Sequence, residues 1–314
     1  MAQFVFATGV IMKQKTLTQC YTFEGKGLHT GRYAHMTLMP APENSGITFH
    51  RTDIGEEAYV NATADNVTNT ARSTTISHGG VSVVTIEHIM SALTGLGVDN
   101  ALIEIDSEEV PILDGSALPY IKAIAPDGLE EQECDRTYIT IREAVEIRDE
   151  NSGSFVRIEP ADELTYDVTV DFNARVLGVQ NVHWDLGTDY CSEVAPCRTF
   201  VFFHELEFLA SKGLVKGGDV ENAIVIVEHP ASEEQVARMS ELFGQPKLTV
   251  TPEGYLSNLT LRFPDECGRH KLLDLIGDLR LAGGYLKARI TAFKPGHGIN
   301  TNTAKALIEA INKQ

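Results

Sequence analysis

One arrangement occurs twice in this chain and restricts its fold more than any other feature. Apolar residues at i, i+3, i+4 and i+7 (Ile86, Ile89, Met90, Leu93) lead to a β-branched run at Ala101–Ile105. A loop, Pro111-Ile-Leu-Asp-Gly-Ser116, and a helical stretch over 117–125 follow. The same succession returns at Leu272, Leu275, Ile276 and Leu279. It continues through Leu286–Phe293, Lys294-Pro-Gly-His-Gly298 and 302–312. The 3.6-residue period marks helices, and β-branched or alternating runs mark strands. Two such successions imply duplication of one α+β unit. Strand-like runs dominate elsewhere: Tyr21–Phe23, Met36–Met39, Ile47–His50 and Val81–Ile86, then Thr137–Ile141, Phe155–Ile158, Tyr166–Phe172, Ala223–Val227 and Leu259–Phe263. Strands and helices do not alternate regularly. Helices packed on one face of mainly antiparallel sheets are therefore expected, rather than a doubly wound parallel sheet.

The polar, acidic stretch Asp127–Asp135 lacks an apolar face and is read as the boundary between the halves. That gives a tail over 1–12, a first α+β domain over 13–130 and a second over 136–314. Further helices are expected at 203–212 and 233–243. Ser232 caps the latter, and Gln235 completes a capping box. The chain of 314 residues carries 44 acidic and 26 basic side chains, a formal net charge of −18. That balance argues against a nucleic-acid surface and against a polybasic membrane anchor. No apolar run reaches the ~18 residues of a membrane span. The five cysteines form no C-x-x-C pair, which fits reduced thiols in a cytoplasmic protein.

Four segments carry side chains suited to chemistry. In His270-Lys-Leu-Leu-Asp274-Leu-Ile-Gly-Asp278, helical spacing puts His270, Asp274 and Asp278 on one stripe, with Lys271 beside Asp278. An imidazole and a carboxylate one turn apart can share one metal ion. The same pattern fits an amphipathic helix with a solvated polar face. Thr85-Ile-Glu87-His88 opens the first-half helix, with Thr85 as N-cap. A glutamate beside a ligand histidine suits metal-assisted hydrolysis, and equally a capped helix start with an acidic first turn. His297, between Gly296 and Gly298, reads as an exposed turn histidine, suited to proton donation or to no special task. Gly25-Lys-Gly27-Leu-His29-Thr-Gly31 has neither dinucleotide nor P-loop spacing and reads as a glycine-rich turn, with His29 facing the cleft as one option.

Six collinear motifs carry a resemblance. Thr85-Ile-Glu-His-Ile89, Gly95-Leu-Gly-Val-Asp-Asn100, Pro111-Ile-Leu-Asp-Gly-Ser116, Arg198-Thr-Phe200, His270 through Leu279, and Gly296-His297 resemble the zinc-dependent UDP-3-O-acyl-N-acetylglucosamine deacetylases. The likeness runs from about Lys13 to Ile311. It implies two similar α+β domains with the active site at their interface. It implies one Zn2+ per chain, held by His88, His270 and Asp274, with water in the fourth position. Glu87 would be the general base, and His297 the cation that steadies the oxyanion and protonates the leaving amine. Asp278 would orient His297, and Thr199 would help polarise the amide carbonyl. Lys271 and Lys294 would meet the diphosphate, and Phe172 would stack near the uracil with Asp171 alongside. Phe200 and Glu205 would be further substrate contacts, Glu205 standing where the family has an aspartate near the sugar. A helical insert, about 200–227, would form an apolar passage for the acyl chain through Phe202, Phe203, Leu206, Phe208, Leu209 and Leu214.

The substrate so implied is UDP-3-O-acyl-N-acetylglucosamine, the products acetate and the free amine, and the setting lipid A biosynthesis in the cytoplasm of a Gram-negative bacterium. No nucleic acid, stable membrane insertion or protein partner is implied. The stretch Glu228–Leu261 is longer than in compact relatives. Some members of the family carry a fused dehydratase domain; the 314 residues are expected to hold the deacetylase part alone. Two other readings fit the same residues: a metal-dependent deacetylase of another acylated amino sugar, and a sugar-nucleotide binder without chemistry.

Overall fold

Alternating burial lays down two sheets of matching design. In Tyr33–Pro40 and Tyr285–Phe293, every second side chain is buried against helices while its neighbours face outward. The computed structural model describes residues 12–211, 221–245 and 247–313. The expected tail over 1–12 lies outside the described residues except for Met12. So does Leu214, and nothing is described of the Leu209 side chain.

The first sheet runs in the order Tyr21–Lys26, Tyr33–Pro40, Ala101–Ile105, Ile47–Arg51, Tyr59–Asn61. The second runs Val145–Arg148, Phe155–Pro160, Tyr285–Phe293, Thr165–Asp171, Val179–Asp185, with Tyr138–Thr140 added beside Tyr285. In both, the last strand in sequence is central. It is antiparallel to one neighbour and parallel to the other. The expected α+β class with antiparallel-rich sheets is borne out, and the shared strand order is what a duplicated unit would leave.

Helices α1 (Glu87–Leu96) and α2 (Leu118–Ile124) flank the central strand of the first sheet in sequence. Within the second half, between the strand Val179–Asp185 and the helix that begins at Glu266, come α3 (Tyr190–Glu193), α4 (Phe203–Ser211) and α5 (Glu233–Leu242). Helices α6 (Glu266–Leu279) and α7 (His297–Asn312) flank the central strand of the second sheet. Gly97, at φ +89°, ends α1 in the left-handed conformation that glycine adopts freely. The capping box of Ser232 and Gln235 forms as expected.

Two expectations are corrected, and the boundary stretch proves to be ordered. Leu259–Phe263 is not a strand. Its backbone bends so that the Arg262 guanidinium reaches Asp114 (3.0 Å) and the Pro196 carbonyl (2.6 Å). The acidic stretch read as the boundary forms a strand, Leu129–Asp135, which pairs antiparallel with Lys13–Leu17. Its charges are tolerated because they face solvent, and Lys13 meets Asp135 at 2.7 Å. The last helix begins at His297 rather than near residue 302.

One continuous apolar core joins the sheets and the α1, α6 and α7 helices. A smaller core holds Phe203, Leu206, Val225, Val236, Met239 and Leu256. Phe203 and Leu206 pack in this core with Val236 and Met239 of α5. Burying such side chains contributes roughly 1.5–3 kcal/mol each. Phe208 is 60% exposed. Beside α1 the halves are clasped. Arg136 grips Asp99 at 2.7 Å and lies over the Tyr285 ring at 4.1 Å, with Arg280 also over that ring at 4.7 Å. No helix among the described residues is long and apolar enough to cross a membrane.

Candidate active site

The α1 and α6 helices cross where Gly277 faces the backbone of Glu87. A Cβ on Gly277 would overlap the Glu87 carbonyl oxygen, so only glycine permits this approach. A similar close approach occurs at Gly95, against the Tyr190 ring. The crossing puts the N-terminal turn of α1 beside the middle of α6. The polar stripe of α6 is therefore not solvated: His270, Asp274 and Asp278 are all buried.

His88, His270 and Asp274 converge, their ligating atoms all within 4.8 Å of one another. Asp274 Oδ1 lies 3.6 Å from His88 Nε2 and 3.4 Å from His270 Nε2. His270 donates from Nδ1 to the Cys197 carbonyl at 3.0 Å, which leaves Nε2 as the unprotonated ring nitrogen. Asp274 Oδ2 accepts from Lys271 at 2.9 Å, whereas Oδ1 is buried with no hydrogen-bond partner. A buried carboxylate oxygen without a donor is costly unless a cation satisfies it. Two imidazoles and one carboxylate form the donor set of a three-ligand divalent site. Lys271 thus pairs with Asp274, not Asp278, one turn being the closer reach.

Burial pushes the His88 imidazole down to about 3, helped by the neighbouring His270, and burial lowers His270 as well. Burial works to raise Asp274, but His270, Lys271 and His297 outweigh it and hold the carboxyl below its usual range. Neutral imidazoles beside an ionised carboxylate are the protonation states that a metal ion requires.

A carboxylate–imidazole pair adjoins the triad. Glu87 is 3% exposed, and its Oε2 accepts the Thr74 N–H at 3.0 Å. Its Oε1 lies 3.9 Å from His297 Nε2. His297 Nδ1 is 3.0 Å from Asp278 Oδ2. Asp278 also accepts from the Thr74 hydroxyl (2.5 Å) and from Asn300 Nδ2 (2.9 Å). Burial pushes Glu87 up to about 7, against the pull of His297. Burial would lower His297, but Asp278 and then Glu87 raise it to about 9. His297 is no exposed turn residue: it is 8% exposed, at the start of α7. A cation at a helix N-terminus opposes the macrodipole by roughly 0.3–1 kcal/mol, and the buried Asp278 carboxylate at 3.0 Å acts in the opposite sense.

Thr85 does not cap α1. Its hydroxyl donates to Glu109, and no side chain caps that helix. The Phe200 ring lies 6.3 Å from His270 and 5.5 Å from Phe172, which is 43% exposed. Lys271 Nζ sits 5.5 Å from the Phe200 ring centre. Lys294 meets Asp171 at 3.3 Å. Glu205 pairs with Arg72 at 3.7 Å. Thr199 is held by backbone bonds, donating to Gly115 O (2.9 Å) and accepting from Ile224 N–H (2.8 Å); no described bond ties it to the triad. Arg72, Arg148, Lys294 and His297 line a cavity of about 510 Å³. Thr74, Asn300 and the Cys197 carbonyl escaped the sequence reading. Thr74 meets a carboxylate 204 positions later, and no local pattern marks such a contact.

The family model of UDP-3-O-acyl N-acetylglycosamine deacetylase matches residues 14–248 and 244–309. The chain is 43% identical over 303 residues to the bifunctional enzyme LpxC/FabZ of Porphyromonas gingivalis, covering 96% of this chain and 66% of that protein. A protein of the same name from Bacteroides thetaiotaomicron is 42% identical, with 96% and 65% covered. The UDP-3-O-acyl-N-acetylglucosamine deacetylase of Saccharophagus degradans is 38% identical over 308 residues, with 97% and 92% covered. The chain thus spans about two thirds of the length of the bifunctional relatives.

Proposed function

The chain belongs to the UDP-3-O-acyl N-acetylglycosamine deacetylase family, and from that premise we propose that it hydrolyses the N-acetyl group of UDP-3-O-acyl-N-acetylglucosamine, in the cytoplasm, as the committed step of lipid A synthesis. Water adds to the acetyl carbon, the C–N bond breaks, and acetate and UDP-3-O-acyl-glucosamine leave. His88, His270 and Asp274 would hold one Zn2+. Bound there, zinc supplies Lewis acidity, which makes water more acidic and a carbonyl more electrophilic.

The protein's own groups divide the remaining work. Glu87, beside the triad and with its proton affinity raised by burial, takes the proton of the attacking water. His297 holds a proton on the ring whose Nε2 faces Glu87. It steadies the developing oxyanion and then protonates the departing amine. Asp278 keeps that ring charged and oriented by holding Nδ1. Thr199 donates to the acetyl carbonyl. Lys294, Asp171 and Phe172 receive the nucleotide, with Lys271, Phe200 and Glu205 toward the sugar and diphosphate.

The single observation carrying this reading is the convergence of His88, His270 and Asp274 on an Asp274 oxygen that lacks a hydrogen-bond donor, next to the Glu87–His297 pair. The test is metal analysis of purified protein together with acetate release. About one zinc per chain is expected, with activity lost on chelation and restored by zinc. Full deacetylation after complete chelation would sink the mechanism. Equal turnover of the UDP-free sugar would point to the other acylated-sugar reading.

A further inference from the structure

The glycine-rich turn at Gly25–Gly31 takes no part in the chemistry above, yet it meets the strand that feeds α1. The meeting point is Glu109, whose side chain is fully buried. Its Oε1 accepts the His29 N–H (2.9 Å) and the Thr85 hydroxyl (2.9 Å); its Oε2 accepts the Thr30 N–H (2.7 Å) and the His29 N–H (3.1 Å). A Cβ on Gly27 would overlap this carboxylate, so the turn closes over Glu109 only with glycine there. The backbone on either side is tied too: Val84 N–H donates to Glu108 O (2.9 Å), and Val110 N–H to Val84 O (3.1 Å).

Thr85 itself is the unusual element. Its φ is +62°, in the left-handed region that a β-branched residue rarely occupies. Such a conformation persists where surrounding bonds over-determine it, and it clusters at functional sites. Thr85 is two residues before Glu87 and three before His88. The left-handed turn at Thr85 sets the direction in which α1 departs. The Glu109 bond is the side-chain anchor of that turn.

We propose that Glu109 is a positioning residue for the active site: by holding Thr85 in its left-handed turn against the Gly27–Thr30 loop, it fixes where α1 delivers Glu87 and His88. Glu109 touches neither metal nor substrate. It acts through Thr85. The same anchor holds the His29 backbone, whose imidazole has a buried Nε2 without a partner and lies within electrostatic reach of Arg72 and His297. The inference rests on the reading of Glu87 and His88 as base and ligand.

The test compares the full chain with Glu109→Gln, Thr85→Ser, Thr85→Val and the Thr85→Gly single and double variants. In Glu109→Gln, an amide NH2 replaces one of two oxygens that face only donors. Zinc affinity, measured by chelator competition without substrate, should fall about tenfold, the lower end of the effect of groups behind metal ligands. The kcat for acetate release should fall by a similar factor, with KM little changed. Thr85→Ser keeps the hydroxyl and should retain both properties; Thr85→Val should reproduce the loss. In the Thr85→Gly background the turn no longer needs its anchor, because glycine takes positive φ without strain. There Glu109→Gln should cost less.

Equal losses in both backgrounds would overturn the proposal. So would a lowered melting temperature with zinc affinity and kcat per folded molecule unchanged. If Glu109→Gln does not fold, the Thr85→Ser and Thr85→Val pair decides: the same zinc affinity and kcat in both overturns the idea. A wild-type protein that binds zinc, weakens on Glu109→Gln and releases no acetate would overturn the deacetylase reading alone.

Discussion

The two sheets share one strand order, yet the helices around them carry unequal chemistry. In the first half, the loop after the central strand ends in α2 and serves packing: Gly115 O receives Thr199 N–H, and Asp114 meets Arg262. In the second half, the corresponding loop delivers His297 at the start of α7. The helices before the central strands differ as well. Glu87 and His88 lie in the first turn of α1, whereas His270, Asp274 and Asp278 run along α6. A repeated scaffold thus supplies two similar positions, and on the proposed reading the side chains divide the labour between base, ligands and acid. The largest effects should come from changes that remove one half's contribution altogether. His88→Ala removes the proposed ligand from the first half, and zinc content should fall well below one per chain. Glu87→Gln should keep the zinc and lower kcat by at least ~10²-fold. Metal analysis beside the acetate assay separates the two; a Glu87→Gln protein of normal kcat would end the base assignment.

The acid of the second half can be examined by pH. Asp278 and Glu87, outweighing burial, lift His297 to about 9, so the ring keeps its proton below that value and loses it above. Activity that needs the imidazolium should therefore decline as pH rises through about 9. The linked stability has the same sign. It is fully present below the unfolded histidine value of about 6.5 and is lost as pH rises through the folded value. Asp278→Asn removes the largest raising influence, so the alkaline decline should move to lower pH, with a smaller kcat. A kcat–pH profile of the variant that keeps its alkaline limb in place would break the link between Asp278 and His297.

Much of this architecture was legible because it depends on local periodicity. The α1 and α6 apolar faces, the central strands and the α5 capping box follow from spacing alone. The convergence of His88 with His270 and Asp274 was implied by family resemblance; the spacing within each helix left a solvated polar face equally open. What stayed hidden rests on contacts between distant segments. Thr74 donates from both backbone and side chain to Glu87 and Asp278, but its neighbours Ser73 and Thr75 look the same in sequence. His297 read as an exposed turn because its flanking glycines suggest a loop. Asp278, which holds its ring, comes from the helix before it, and Asn300, which donates to Asp278, from one turn after it. Thr85 read as a cap because the carboxylate that takes its hydroxyl lies 24 residues on.

The contact between the halves is the next thing to perturb. Gly277 sits where α6 meets the Glu87 backbone, so Gly277→Ala forces the helices apart. Overpacking of this kind costs about 1–3 kcal/mol. A lowered denaturant midpoint should come with weaker zinc binding, because His88 moves with Glu87. If stability falls while zinc affinity holds, the crossing is a packing contact and does not set the distance between the ligands.

The smallest effect should lie farthest from the crossing. Helix α5 belongs to the satellite core, where Val236 and Met239 cover Phe203 and Leu206. Its capping box joins the Ser232 hydroxyl to Gln235 N–H at 3.2 Å, and the Gln235 amide oxygen to Ser232 N–H at 2.8 Å. Ser232→Ala removes the first bond and should cost roughly 1 kcal/mol of helix stability. Faster hydrogen exchange in the first turn of α5 should report that loss, with zinc affinity and kcat unchanged. The proposed site is built by α1, α6 and α7 on the main core, whereas the buried α5 side chains Val236 and Met239 belong to the satellite core. A clear fall in kcat for this variant would mean that the satellite core, through Phe203 and the adjoining Phe200–Phe202 strand, holds the aromatic wall beside His270 in place.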